Sequence, residues 1–359
     1  MKILKQVVAA DVDQRNLVVT LGRLNEDLST QLYAHKVFAN DKKGFTSLVN
    51  WVDKFTAREL SVHFVMEATG VYHESFAYFL DLRGELVSVV LSNVTSNYRR
   101  TLELKTITDK TSSEVIARLA LSRNLLLWHR PDAALKKLKQ LTRERDQIVG
   151  ERVLIKNQLH AEKAEAEPNQ TSLSRMLKRI ALLNKQEKEI QSEIQQMIRL
   201  HPGLKEEVNL ICSIPGVGTL TAVTVLAETN GFDLIRNKRQ LTSYAGLDVK
   251  EKQSGTSVKG KPKISKRGNR YLRKALYMPA LAAIRSNERY KTVFARLVAK
   301  HGIKMKAAVA VQRKLLELMY IVHKSKTPYQ HDYQLKCADL INQKGSQSIT
   351  INHPSYQAG

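Results

Sequence analysis

Cysteine is nearly absent. Cys212 and Cys337 are the only two in 359 residues; they stand far apart and have no metal-ligand spacing. That argues against a disulfide-stapled scaffold and a zinc finger, and a reduced cytosolic setting is the simplest reading. No apolar run is long enough to span a bilayer. No secretory leader is evident either, since Met1-Lys2-Ile3 opens straight into a strand-like run. Acids are also scarce: 34 Asp and Glu stand against 58 Lys and Arg, for a net charge of +24 and a pI near 9.9. The shortage is local. Between Lys252 and Lys314 eighteen Lys and Arg meet a single acid, Glu288. Solubility needs far less charge, so a polyanionic partner is implied.

The chain is long enough for two or three compact units. In the first 125 residues, apolar runs at 7–10, 18–21, 63–66 and 86–91 read as strands. Helical spacing at 43–55, 72–79 and 113–121 separates or follows them. Strands alternating with helices indicate an α/β fold. Asp11 closes the first strand, Glu67 ends the third, and Asp109 stands where Thr108 or Asp109 would cap a helix. Two readings of these acids are open. They are exposed turn and cap residues, or they converge and need a cation such as Mg²⁺ to offset their charge.

Residues 126–205 carry near-heptad apolar spacing in two arms. Leu138, Leu141, Ile148, Ile155 and Leu159 form one; Leu173, Ile180, Leu183, Ile190, Ile194 and Met197 form the other; Pro168-Asn169 divides them. An antiparallel helical hairpin or a coiled coil between protomers fits this pattern, and so does a plain solvated spacer. Arg145 and Arg152 intrude at seam positions, which suggests a marginal, partner-dependent pairing.

From 206 to 325 the pattern is helical and basic. Ser213-Ile-Pro-Gly216-Val-Gly218-Thr219 resembles a helix-hairpin-helix turn, whose exposed N–H groups suit a phosphate; a tight turn touching nothing is the alternative. The stretch 253–280 opens on Ser254-Gly255-Thr256-Ser257. It then carries Lys259, Lys261, Lys263, Lys266, Arg267, Arg270, Arg273 and Lys274. On composition this is a Ser/Gly/Lys loop leading into a basic helix at 269–285, or a serine nucleophile beside phosphate-binding charges. Tyr271 and Tyr277 have the chemistry to stack on bases, though core packing is the commoner use. A further helix spans 307–324, and after 326 the chain reads as a tail.

The combination SGTSVKG, SKRGNRYLRKALYMPA, SIPGVGTLTA and SYAGL resembles the IS110-family transposases, the DEDD recombinases that include Piv-type invertases. The resemblance covers about residues 3–325. It implies a RuvC-like, RNase H-like α/β domain over 1–125, a coiled-coil connector over 126–205 used in multimer assembly, a helical transposase domain over 206–325 and a tail. Asp11, Glu67 in MEATGVY and Asp109 match the first three acids, expected to hold Mg²⁺. Ser254 matches the catalytic serine, expected to form a transient 5′-phosphoserine. The family's fourth acid falls on Ser112, a neutral and weaker ligand. Asp13 or Glu114 is the local acid that could compensate; Asp13 is preferred, because alternation puts it on the face of Asp11. The resemblance further implies DNA and a structured non-coding bridge RNA as partners, a dimer or tetramer, and action at the nucleoid in a prokaryotic cytoplasm. The rivals are a structure-selective Mg²⁺-dependent nuclease in which Ser254 only binds phosphate, and an inactivated nucleic-acid scaffold, which Ser112 keeps open.

Overall fold

The computed structural model describes residues 2–330, apart from 69, 103, 105, 234, 252, 255–257, 261 and 262; the side chains of 253, 254, 258 and 259 are also outside that set. The expected tail therefore lies outside the described residues from 331 on. The chain divides into two compact units, Met1–Arg130 and Pro131–Gly359.

In the first unit β1 (Ile3–Val12), β2 (Asn16–Asn25) and β3 (Thr30–Ala39) form an antiparallel meander. Beside β1 lie β4 (Val62–Glu67) and β5 (Leu86–Val90), both parallel, giving the order β3-β2-β1-β4-β5. The helices are α1 (Lys42–Phe55), α2 (Glu74–Asp81), α3 (Ser92–Thr101) and α4 (Asp109–Ser122). Central β1 is buried on both faces over 6–10, which is why its run lacks apolar–polar alternation. One face packs Val8, Ala10, Phe64 and Met66 under α1 and α2; the other packs Val7, Ala9 and Val65 under α4. Strand β3 gave no sequence signal because it is an exposed edge, with only Phe38 fully buried.

The second unit opens with α5 (Ala133–Lys163) and α6 (Gln170–Leu200). Lys137 bonds Glu193 at 2.7 Å and Arg145 bonds Glu187 at 2.6 Å, so the two helices run antiparallel within one chain. Asn169 caps α6 after the Pro168 break, accepting from Thr171 and Ser172 N–H. The seam arginines find their partner here. Arg145 and Arg152 both bond Glu187, which is buried on α6. Their presence therefore does not require a second protomer, which corrects the reading of a marginal pairing. Leu138, Ile148, Ile190 and Ile194 join one continuous core with Leu226, Leu272 and Leu315, so these helices belong to the C-terminal body.

That body holds α7 (Pro202–Cys212), α8 (Thr219–Thr229), α9 (Lys238–Tyr244), α10 (Arg270–Ala275), α11 (Tyr277–Ser286), α12 (Glu288–His301) and α13 (Lys304–Ser325). Between α9 and α10 run four two-residue strands: β6 (Val249–Lys250), β7 (Gln253–Ser254), β8 (Val258–Lys259) and β9 (Lys263–Ile264). The single helix expected over 269–285 is two helices, broken at Leu276. Pro279 has no N–H for the carbonyl of Ala275 and excludes a continuous turn there. Among the described residues no helix is long and apolar enough to cross a membrane.

Candidate functional site

Two groups of residues carry chemistry, one in each unit. In the first unit the parallel register Ala10↔Met66 brings the next residues, Asp11 and Glu67, side by side on adjacent strands. Strands so paired lie about 4.8 Å apart. Both acids share the face of Val7, Ala9 and Val65, the face that α4 covers. Helix α4 begins at Asp109. Thr108 caps it in a reciprocal box with Thr111, and the hydroxyls of Thr20 and Ser113 tie it to β2 at 2.7 Å.

The acids are neighbours electrostatically. Burial, then the charges of Glu67 and Asp109, push the Asp11 carboxyl up to about 6, against the pull of Arg99. Thr95 on α3 donates to Glu67 Oε2 at 2.6 Å. One turn on, Arg99 Nη2 donates to Ser112 Oγ at 3.0 Å. Among the described residues, no three His, Cys, Asp or Glu side chains close tightly enough to hold a metal ion. The site is a loose cluster of like charges rather than a finished cage.

Asp13 does not join it. Strand β1 ends at Val12, so the alternation that put Asp13 on the face of Asp11 stops short of it. Its Oδ1 accepts from the N–H groups of Arg15 and Asn16 at 2.5 and 2.6 Å and closes the β1–β2 turn. Ser112 is buried and taken up by Arg99. Sequence reasoning missed Thr95 and Arg99. Their i, i+4 spacing was the available signal, but α3 has only one buried residue, Thr95, and so no apolar stripe to orient it.

In the second unit Ser254 lies on β7, whose backbone pairs with β8 through Ser254↔Val258. The root of this hairpin is the β6–β9 pair, reinforced by Ser265 Oγ donating to Asp248 at 2.6 Å. Below it two sequence motifs meet. A Cβ on Gly268 would come within 2.5 Å of Gly246 N and Tyr244 O, so SYAGL and SKRGN pack backbone to backbone. Asn269 N–H bonds Tyr244 O at 2.7 Å, while its side chain caps α10.

The basic residues part company here. Lys263, Lys266, Arg267 and Arg270 are exposed. Arg273 is turned inward, donating to the carbonyls of Ala245 and Gly268 at 2.8 and 3.1 Å, and Lys274 pairs with Asp146. Both therefore brace the fold. Lys261, and the side chain of Lys259, lie outside the described residues. The guanidiniums of Arg143 and Arg270 stand 4.5 and 5.0 Å from the ring centre of Tyr271, so that ring is already engaged.

In the 213–219 turn Gly216 takes φ +85°, and a Cβ there would press on Ala283 N and Pro279 O at 3.0 Å; its glycine is structural. Gly218, the N-cap of α8, would meet nothing within 4 Å and makes no side-chain cap.

Residues 15–162 match the DEDD transposase family of IS110 type, and residues 208–295 match the transposase family IS116/IS110/IS902. The chain belongs to the IS110 family of transposases. It is 28% identical over 299 residues to the pilin gene-inverting protein of Moraxella bovis, covering 81% of this chain and 89% of that protein. It is 25% identical over 151 residues to an insertion element IS110 protein of Streptomyces coelicolor, 42% of this chain and 36% of that one. Among solved structures, T. thermophilus RuvC in complex with a Holliday junction substrate covers 31% of this transposase and 90% of its own chain, at 10% identity and a TM-score of 0.24. A score of that size adds nothing to the topology above.

Proposed function

We propose that this transposase cleaves and exchanges DNA strands with a Mg²⁺-dependent acid cluster at Asp11, Glu67 and Asp109 and a serine nucleophile at Ser254. The observation that carries the reading is the pairing of Asp11 with Glu67 across β1 and β4, with the Asp109 charge also felt by Asp11. The donors are all carboxylate oxygens, which suit a hard divalent cation, and their mutual repulsion favours one. When bound, Mg²⁺ supplies positive charge for the phosphate and the leaving oxygen.

In this mechanism Ser254 Oγ attacks the scissile phosphorus and gives up its proton. The P–O3′ bond breaks, the 3′ oxygen leaves as a hydroxyl, and the 5′ phosphate stays on serine. A 3′ hydroxyl from the second strand reverses the step and frees the serine. No histidine lies near Ser254 in sequence, so its activating group comes from folding or assembly. A bridge RNA choosing the target suits the strong basicity, and so does a multimer that completes each site with residues of another chain. The exposed cations at 263–270 and the uncapped α8 terminus at Gly218 are the proposed backbone contacts.

The covalent step is tested with purified protein, flanking DNA, its transcript and Mg²⁺ on a denaturing gel. Wild type is expected to give a protein–DNA adduct, and Ser254→Ala none. Cleavage surviving in Ser254→Ala without an adduct would favour the hydrolytic nuclease instead. Binding should be steeply salt-dependent. With about six phosphate contacts, duplex affinity falls about a thousandfold between 50 and 200 mM salt; a flat titration removes the electrostatic argument.

A further inference from the structure

We propose that Arg99 is a built-in cation of the acidic cluster, filling the role of a second divalent ion, so that the site loads one Mg²⁺ per chain. The inference rests on the metal reading of the previous subsection. Helix α3 lays two residues of one face along the cluster: Thr95 on Glu67, and Arg99 one turn further on Ser112. Ser112 is a buried hydroxyl and carries no charge to attract a guanidinium. The charge that Arg99 answers is that of the carboxylates, and its pull on Asp11 opposes the push of Glu67 and Asp109.

Arg99 Nε is buried and has no hydrogen-bond partner among the described residues. A buried donor left unpaired costs about 1–3 kcal/mol. Beside three carboxylates it is a donor waiting for an anionic oxygen, as an ion is. Three carboxylates and one guanidinium leave two negative charges, which one divalent ion neutralises. A second ion would meet the fixed positive charge of Arg99 and a hydroxyl in place of an acid. Neutral Ser112 and cationic Arg99 thus act together: the hydroxyl that is too weak a ligand for a metal is a good acceptor for an arginine.

Full-length protein without nucleic acid is titrated with Mn²⁺ and Mg²⁺ by calorimetry and by electron paramagnetic resonance. Wild type is expected to bind one ion per chain. Arg99→Gln, which keeps a donor for Ser112 but loses the charge, should bind that ion about tenfold more tightly, because a positive charge near the site has gone. Arg99→Gln with Ser112→Asp should bind two. Thermal melts check that each variant is folded, and Arg99→Lys, which keeps the charge, should restore wild-type affinity in place of the tighter binding. Two ions in wild type, or unchanged affinity in a folded Arg99→Gln, would overturn the inference while leaving the metal reading intact. No ion at all in any variant overturns the metal reading, and this inference with it.

Discussion

Asp11→Asn and Glu67→Gln are expected to lower recombination by at least about a thousandfold while leaving nucleic-acid affinity within about twofold. The first figure follows from losing metal-supplied charge stabilisation of several kcal/mol at about tenfold per 1.4 kcal/mol. The second follows because these residues lie outside the basic stretch. A second readout separates loss of charge from misfolding. The folded-state carboxyl of Asp11 is raised to about 6 from an ordinary 3.8. Between those values the folded chain binds more protons than the unfolded one, so this group lowers stability as pH rises through the window. Below about pH 4 both states are protonated and the effect is gone; above about 6 it is fully present. Metal-free Asp11→Asn should therefore melt higher than wild type at pH 8 and equally at pH 4. The same sign makes metal binding release a proton and weaken as pH falls through 6. Normal recombination in either variant would sink the metal site, and an unchanged melting temperature at pH 8 would remove the repulsion argument.

What could be read from the residues depended on how locally each feature is encoded. Strands β1, β2, β4 and β5 announce themselves because burial demands apolar runs, and the acids closing β1 and β4 stand out against them. Asp13 misled because period-two alternation was carried one residue past the end of a strand. The interhelical role of Arg145 and Arg152 was hidden because Glu187 lies on another helix, and neither helix alone displays the pairing. Arg273 and Lys274 looked like their exposed neighbours in composition. Only the fold turns Arg273 onto the carbonyls of Ala245 and Gly268. The SYAGL and SKRGN motifs were both noticed, yet their reason, backbone contact at Gly246 and Gly268, is visible only once the intervening hairpin folds them together.

Glu228 was missed altogether, although a lone acid in the apolar run TLTAVTVLAET of α8 is an available signal for a satisfied buried charge. Its side chain is fully buried. Arg143 grips both carboxylate oxygens at 2.7 and 2.8 Å, and Asn269 Nδ2 donates to Oε2 at 2.7 Å. Tyr244 Oη donates to the Glu228 carbonyl at 2.9 Å. The acid thus joins α5, the end of α9 and the cap of α10, the framework on which the Ser254 hairpin stands. Breaking a buried pair by removing one partner costs about 3–5 kcal/mol. Arg143 is 38% exposed and regains water, so Glu228→Gln belongs at the lower end, about 3 kcal/mol. In glutamine the Nε2 donor faces donors on Arg143 or Asn269, so its near-identical shape does not rescue it. For a unit of this size the melting temperature should drop by about 6–12 °C. Because Asn269 both reads Glu228 and caps α10, adduct formation through Ser254 should fall more than DNA affinity does. A melting temperature within about 1 °C of wild type would mean that the charge on Glu228 contributes nothing to stability. Equal losses of adduct and of DNA binding would mean that Glu228 serves the whole body and not the hairpin.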